Sequence, residues 1–267
     1  SIFLLFFSLL FFSQKKWDLK FYNELAGNEY IIYADNSEIM PMSVKFSFKM
    51  INLKSSIAND ENIVIPANTK RFLVAKITPL NAREGNQFSY TTTFNFGNAA
   101  QETFDEDYLY SLPFGKGKTH LIYQGYYGKF SHQKDAALDF DMTIGDPVYA
   151  AREGTVVLTE DSNLQGCPKI SCAKFNNKVL IMHNDGTFAD YAHLKYKGVA
   201  VKKGDEIKKG QLIGYSGNTG FSSGPHLHFS VFINRIDGSR TFIKTKFKTS
   251  QGDGILLEEG KSYTKND

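Results

Sequence analysis

The chain has little of several residue types, and each shortage excludes a class of protein. Among its 267 residues are only 2 Cys, too few for a disulfide-scaffold miniprotein or for a four-thiolate zinc site. Its formal net charge is only +3, which does not favour a nucleic-acid-binding surface. The hydrophobic fraction of 42% is nevertheless ample for a globular core and argues against intrinsic disorder.

A hydrophobic run long enough to cross a membrane is not evident at the start of the chain. Residues 2–12 read IFLLFFSLLFF, which is shorter than the roughly 20 apolar residues of a membrane-spanning helix. The run has the length of the hydrophobic part of a secretory signal, although no basic residues precede it. We expect residues 1–13 to be a signal peptide truncated at its start; the alternative is a buried strand. The protein is then exported to the periplasm, the cell envelope or the medium, without a stable membrane anchor.

If the protein is exported, its two cysteines are expected to form a disulfide. Cys167 and Cys172 lie in a segment rich in turn-forming residues, NLQGCPKISCAKF. In an oxidising compartment this spacing predicts a small-loop disulfide, which stabilises the fold by about 2 kcal/mol in the loop-entropy model.

Aromatic residues and glycine are abundant, with 23 Phe, 14 Tyr and 22 Gly, and this composition favours β-structure. Within residues 14–112, Val44, Phe46, Phe48 and Met50 alternate with polar residues, the period that buries one face of a sheet. Several such runs predict a β-sandwich-like accessory domain. This part contains no His and no Cys, so we assign it no chemistry.

The sequence pattern changes at about residue 113. From there on, short segments that combine a glycine, a turn and a strand recur along the chain. They predict a compact, almost helix-free β-fold over residues 113–250, followed by a peripheral tail over residues 251–267. The whole chain is therefore expected to be all-β. All six histidines lie after residue 113.

Two of these histidines point to a metal site. His226 and His228 open the run HLHFSVFI, which reads as a strand, so both imidazoles project from one face. Upstream, His132 precedes Asp139 in SHQKDAALDF. His132, Asp139 and one of the two strand histidines would supply three ligands and leave a fourth tetrahedral position open, as in catalytic zinc sites. Spacing alone leaves Asp135 and Asp141 as competing carboxylates.

The remaining histidines are less informative. His193 follows a strand-like stretch in YAHL, and His120 could line a cleft. His183 precedes the turn residues Asn-Asp-Gly, a position where histidine is most often an ordinary surface residue.

The order of these motifs resembles the lysostaphin/LytM-type zinc metallopeptidase family. The resemblance rests on H132-x6-D139, Y191-A-H193-L and G224-P-H226-L-H228-F, and on the linking text GDPVYAAREGTVV and GDEIKKGQLIGYSGNTG. It covers about residues 115–233 and not the N-terminal part. The resemblance implies the family's β-fold, with one zinc ion bound by His132, Asp139 and His228.

The resemblance further implies that His193 and His226 are the catalytic histidines that do not bind metal. Members of this family cut peptide bonds in bacterial peptidoglycan, so peptidoglycan or a Gly-rich peptide is the expected substrate, and a monomer is expected. His226 is placed to act as general base and His193 to orient water or stabilise the oxyanion, although these roles could be exchanged.

Two other functions are compatible with parts of the sequence. The repeat GDEIKKGQLIG also occurs in lipoyl- and biotinyl-carrier domains, but a carrier does not need convergent histidines. A catalytically inactive protein of the same fold, binding the wall or activating a hydrolase, is the stronger alternative. Since the sequence has the residue that the family motif requires at all five site positions, it favours an active zinc endopeptidase.

Overall fold

The computed structural model describes residues 17–266, so the expected signal peptide lies outside the described residues. The fold is almost entirely β, which confirms the predicted all-β class. Within the described residues, no helix is both long and apolar enough to pass through a bilayer.

The N-terminal region, residues 19–96, consists of two sheets. Its strands are β1 (Leu19–Ala26), β2 (Glu29–Asn36), β3 (Met42–Ile51), β4 (Leu53–Ser55), β5 (Ile63–Ile65), β6 (Thr69–Pro79) and β7 (Gln87–Phe96). One sheet has the order β1-β2-β6-β4 and the other the order β5-β3-β7. The alternation predicted around Phe46 is real, because Val44, Phe46 and Phe48 are buried. They share one core with Ile32 and Ile77 of the other sheet, so the region has two layers.

The C-terminal region, residues 109–266, carries all the histidines. Its first strands are β8 (Leu109–Ser111), β9 (Thr119–Gln124), β10 (Ala137–Phe140), β11 (Pro147–Tyr149), β12 (Gly154–Glu160), β13 (Gly166–Cys167), β14 (Lys178–Met182), β15 (Phe188–Ala192) and β16 (Leu194–Val199). The later ones are β17 (Glu206–Ile207), β18 (Leu212–Ser216), β19 (Gly220–Phe221), β20 (Leu227–Asn234), β21 (Arg240–Ile243), β22 (Lys246–Thr249), β23 (Gly252–Ile255) and β24 (Ser262–Thr264).

One large sheet forms the base of this region. Its strand order is β17-β12-β14-β15-β20-β10-β9-β24, and β21 also pairs with β20. A smaller sheet of order β11-β18-β16 contributes Val148, Ile213 and Leu194 to the same core, where they meet Leu138 and Phe229 of the large sheet. Leu227 and Phe229 point into this core, so the alternate residues of β20 face the other side of the sheet.

The predicted disulfide between Cys167 and Cys172 is present. It closes a short loop in which a 3-10 helix, η1 (Ile170–Phe175), begins, and β13, which includes Cys167, pairs with β19.

The last residues are not peripheral, in contrast to the expectation for residues 251–267. Strand β24 pairs with β9, and Tyr263 is buried in the core of the C-terminal region, because its aromatic ring completes that core. At the other boundary, β8 pairs with β22 and places Tyr110 and Leu112 in the same core, ahead of the expected division at residue 113. The division of the chain into separate domains stays a prediction.

Candidate metal centre

Two of the expected ligands lie on neighbouring strands. Strands β10 and β20 are antiparallel, and Asp139 and His228 are direct partners in their register. Direct partners in an antiparallel pair project from the same face, so the carboxylate and the imidazole meet. His228 Nδ1 lies 3.0 Å from Asp139 Oδ1. The pairing explains why residues far apart in sequence form one site.

The third expected ligand comes from the loop before β10. His132 Nε2 lies 3.3 Å from Asp139 Oδ1 and 3.2 Å from His228 Nδ1. His132 Nδ1 lies 3.1 Å from the carbonyl oxygen of Gly125, which can only accept a hydrogen bond, so this nitrogen carries the proton. The lone pair of a neutral His132 is therefore on Nε2, the atom that faces the other two ligands.

These three atoms fit a zinc ion. With metal–ligand distances of about 2.0–2.1 Å, tetrahedral geometry places ligand atoms about 3.3–3.4 Å apart. The measured separations of 3.0, 3.2 and 3.3 Å are close to that edge length. Two nitrogens and one carboxylate oxygen are zinc ligands, and a set of three leaves a position open. His132 and Asp139 are nearly fully buried, and His228 is partly exposed, which gives the site one accessible side.

The electrostatics of the cluster keep Asp139 ionised. Burial raises the pKa of this carboxyl, but hydrogen bonds from His132 and His228 outweigh burial and hold the pKa well below its usual value. Burial lowers the pKa of His132. The hydrogen bond and the negative charge of Asp139 outweigh burial, so the pKa of His132 is raised above its usual value. The cluster is thus built around one buried negative charge.

The two histidines expected to be catalytic lie beside this cluster. The ring centroids of His193 and His226 are 4.5 Å apart, and His226 Nε2 is 3.7 Å from Asp139 Oδ1. His226 Nδ1 lies 2.8 Å from the carbonyl oxygen of Gly224, and His193 Nδ1 lies 2.7 Å from that of Thr219. Each Nδ1–H therefore donates a hydrogen bond to a carbonyl oxygen, and each Nε2 is an acceptor.

Both histidines are neutral near pH 7. Burial is the main cause of the lowered pKa of His193, which lies at about 3, with the nearby imidazoles of His226 and His228 adding to it. Burial also lowers the pKa of His226, although the charge of Asp139 opposes the shift. Two neutral acceptor nitrogens next to an open metal position can hold a water molecule and take its proton.

The backbone of His193 is fixed in an uncommon conformation. Its φ is +62°, in the left-handed region, at the junction of β15 and β16. Its N–H donates to Asn176 Oδ1 at 2.8 Å. Strained backbone of this kind persists where the surroundings hold it, and here Asn176 and Thr219 hold His193 from both ends.

Gln124 is a site residue that the sequence analysis missed. Its Nε2 donates to Asp139 Oδ2 at 2.8 Å and to Ser131 Oγ at 2.7 Å, and its Oε1 accepts from the Ser131 N–H at 2.9 Å. One buried amide thus orients the carboxylate and the loop residue beside His132. Gln124 meets Asp139 because β9 pairs with β10. A single sequence does not reveal this pairing, so it gave no signal for Gln124.

The structure separates the other candidates from the site. Of the competing carboxylates only Asp139 joins the cluster; β10 ends at Phe140, and Asp141 is exposed. His120 hydrogen-bonds the carbonyl oxygen of Asp141 instead. His183 is buried, not on the surface as expected, because its ring packs against Tyr110 within the fold.

Comparisons with known proteins place this geometry in a family. Residues 133–239 match the model of Peptidase family M23, a range that begins one residue after His132 and contains the other four site residues. Lysostaphin of Staphylococcus simulans is 40% identical over 119 residues, which cover 44% of this chain and 22% of lysostaphin. Peptidoglycan DD-endopeptidase ShyA of Vibrio cholerae is 40% identical over 95 residues, which cover 36% of this chain and 19% of ShyA.

Among solved structures, the catalytic domain of the antimicrobial peptidase lysostaphin from Staphylococcus simulans is 34% identical. The match covers 47% of this chain and 87% of that one, with a TM-score of 0.35. The chain spans about a fifth of the length of the curated relatives named above. On the matching family model, the relatives and the shared motifs, residues 133–239 form a region of the lysostaphin/LytM type, Peptidase family M23.

Proposed function

We propose that this protein is a zinc-dependent endopeptidase that hydrolyses peptide bonds of bacterial cell-wall peptidoglycan. The observation that carries the proposal is the convergence of His132 Nε2, Asp139 Oδ1 and His228 Nδ1 within 3.3 Å of one another, beside two neutral histidines. The substrate class is supported by the relatives, one of which is named a peptidoglycan endopeptidase. In this proposal the protein is exported and acts as a monomer.

His132, Asp139 and His228 would hold the metal. When bound, zinc supplies Lewis-acid activation of water and of the scissile carbonyl. The protein's own part is to keep the three ligands in place, with Asp139 ionised and the His132 tautomer fixed by Gly125.

His226 is the better general base of the two remaining histidines. Its Nε2 is 3.7 Å from Asp139 Oδ1, so the imidazolium formed after proton uptake is stabilised by a nearby negative charge. The same Nε2–H then donates the proton to the leaving amine. His193 also presents an acceptor Nε2, since its Nδ1–H is held by Thr219, but burial lowers its pKa to about 3 and makes it the weaker base, so it orients the attacking water.

A metal analysis combined with wall digestion tests this function. We expect about one zinc per chain and release of peptide fragments from purified peptidoglycan. His228→Ala should lose zinc and digestion together, whereas His226→Ala should keep zinc and lose about 10²–10⁴-fold in rate. His120→Ala, a histidine outside the cluster, is the matched control and should change neither.

Two outcomes would contradict the proposal. Protein that binds no zinc and digests nothing would favour a non-enzymatic wall-binding or hydrolase-activating protein. If the protein binds zinc but does not digest the wall material, the proposed metal site would stand and peptidoglycan would be contradicted as the substrate. Mass spectrometry of released fragments would identify the bond that is cut.

A further inference from the structure

The disulfide Cys167–Cys172 holds a surface segment that has no place in the core. Residues 168–171 between the two cysteines are exposed, and no residue of the 3-10 helix η1 is buried. Lys169, which precedes this helix, makes no side-chain hydrogen bond that caps it. Burial therefore does not fix the segment, and the disulfide is the covalent link that joins η1 to β13.

One end of this segment holds the backbone of His193. Asn176 directly follows η1, and its Oδ1 accepts a hydrogen bond from the N–H of His193 at 2.8 Å. The N–H of Asn176 itself donates to the carbonyl oxygen of Ala173, within the helix, at 3.2 Å. Because the left-handed φ of His193 is unfavourable, its conformation depends on partners that hold it in place. A movement of η1 therefore reaches His193 through Asn176.

The same disulfide holds β13, which sets the position of β19. Both strands are two residues long, and they pair in parallel. The N–H of Gly220 donates to the carbonyl oxygen of Gln165 at 2.8 Å, and the N–H of Ser222 donates to that of Cys167 at 3.2 Å. Because Cys167 itself accepts one of these hydrogen bonds, its movement displaces β19.

The residues on either side of β19 hold the rings of both histidines that lie beside the candidate ligands. The carbonyl oxygen of Thr219 accepts the Nδ1–H of His193 at 2.7 Å. The hydroxyl of Ser222 donates to the carbonyl oxygen of Gly224 at 2.7 Å and lies 3.2 Å from His226 Nδ1, whose N–H bonds the same carbonyl oxygen. Among the described contacts, the three candidate ligands receive no hydrogen bond from the disulfide segment or from β19. The segment therefore supports the two histidines and not the ligands.

The chain next to this segment has an anchor that does not involve the cysteines. Asn177 is fully buried, and its N–H donates to Thr219 Oγ1 at 3.1 Å. Its Nδ2 donates to the carbonyl oxygen of Asn163 at 2.8 Å. Loss of the disulfide is therefore expected to shift η1 and β13 without unfolding the C-terminal region.

From this arrangement we propose that the Cys167–Cys172 disulfide positions His193 and His226, so that its reduction lowers the catalytic rate without releasing the metal. This inference rests on the proposed function, because that reaction uses the two histidines. Both cysteines are half-buried at the surface, within reach of a dithiol. A thiolate of the dithiol attacks one cysteine sulfur and the S–S bond breaks; the second thiol then displaces that cysteine, which leaves two cysteine thiols and an oxidised dithiol.

The test measures cleavage of soluble peptidoglycan fragments by the zinc-loaded protein before and after reduction with a phosphine, which yields two thiols and a phosphine oxide. Since an error of about 1 Å in position can cost about 10²-fold in rate, we expect kcat to fall by at least about 10-fold. KM, zinc content and far-UV circular dichroism should stay unchanged, and reoxidation should restore kcat.

A double variant, Cys167→Ser with Cys172→Ser, is the matched control. Its kcat should be low from the start and should not respond to the phosphine, which separates loss of the disulfide from other effects of the reductant. Ser222→Ala leaves the cysteines in place and removes the hydroxyl beside His226. It should also lower kcat while zinc stays bound.

Nitrogen-15 NMR of the histidine side chains gives a readout that does not depend on cleavage. Reduction should shift the signals of His193 and His226 and leave those of His132 and His228 in place. Unchanged signals of the first pair, loss of zinc on reduction, or an unchanged kcat in protein that cleaves the fragments would overturn the positioning role. Shifted signals in protein whose oxidised form cleaves nothing would contradict the proposed hydrolase and leave the positioning role standing.

Discussion

Gln124 joins the carboxylate of Asp139 to the loop that carries His132, and its loss gives the first prediction. Gln124→Leu keeps the approximate size of the side chain and removes its hydrogen bonds to Asp139 and Ser131. Mutation of such outer partners typically costs 10–100-fold in metal affinity. We therefore expect zinc affinity, measured by competition with a chelator, to fall by about 10–100-fold.

The control is Gln133→Leu, which removes an exposed glutamine bonded only to the carbonyl oxygen of Lys129 among the described contacts. It lies next to His132 in sequence but does not contact Asp139. Equal zinc affinity in wild type and Gln124→Leu would show that the carboxylate is positioned without Gln124.

His183 gives a prediction for the pH dependence of stability. Burial, followed by the charge of Arg152, lowers the pKa of His183 to about 3. In the unfolded chain the pKa is about 6.5, so between these values only the unfolded state binds the proton. The free energy of unfolding therefore falls as the pH decreases from 6.5 towards 3.

His183→Gln removes this proton uptake and keeps an amide that can pair with Thr187. Urea unfolding at pH 7.5 and 4.5 compares the two proteins. We expect the wild type to lose on the order of 1–2 kcal/mol more than His183→Gln over this interval. Equal losses would mean that His183 titrates alike in the folded and unfolded states.

At the residue level, the convergence of His132, Asp139 and His228 was anticipated from the sequence, the roles of the five site residues stay predictions, and their hydrogen-bond partners could not be predicted. His226 and His228 share a face because of their spacing, and His132 and Asp139 follow from the order of motifs. Gln124 lies 15 positions before Asp139 and meets it only because β9 pairs with β10. Such contacts depend on strand pairing, which a single sequence does not reveal.

At the level of the strands, β20 and β19 contribute to different parts of the candidate site. Strand β20 carries His228, which we propose as a zinc ligand, whereas β19 and the residue before it support His193 from outside the cluster of His132, Asp139 and His228. The alternation that predicted β20 is local, so it could be read from the sequence. The pairing of β19 with β13 in the disulfide loop is not local, so the support of His193 was missed.

Gly220 in β19 therefore provides a test of this support. Its φ is +80°, and an added Cβ would lie 2.8 Å from Asn176 Cβ and 2.9 Å from Asn176 Cα. Gly220→Ala should displace Asn176, whose side chain holds the N–H of His193. Since an error of about 1 Å in position can cost about 10²-fold in rate, we expect kcat/KM to fall by about that factor while zinc stays bound.

The matched control is Gly85→Ala, where φ is not in the left-handed region and no atom lies within 4 Å of an added Cβ. Activity and metal content are measured on the same samples. Loss of zinc in Gly220→Ala would indicate that β19 supports the metal ligands themselves, and unchanged activity would indicate that His193 does not depend on Asn176.

On the scale of the whole molecule, the N-terminal region is joined to the sheet that carries the site. Met40 is fully buried in a cluster with Val157, Leu180 and Phe232 of the C-terminal region. Composition and periodicity predicted both β-rich parts. They did not predict this contact, because the residues that form it read like any other core residues.

Trp17, the single tryptophan of the chain, lies at this junction and can report on it. Its ring packs on Phe96 with centroids 5.5 Å apart, and Lys203 Nζ lies 6.0 Å from it. If the two regions are stabilised by their contact, the fluorescence of Trp17 and the far-UV circular dichroism should change in one urea transition. Met40→Ala should lower the midpoint, with a loss of about 2–5 kcal/mol for a buried Met.

Ile51→Ala, at a side chain of the same region that is 64% exposed, is the control and should change stability by less than about 0.5 kcal/mol. A Trp17 transition at lower urea than the circular dichroism transition would show that the N-terminal region detaches first. The contact would then be weaker than its buried apolar surface indicates.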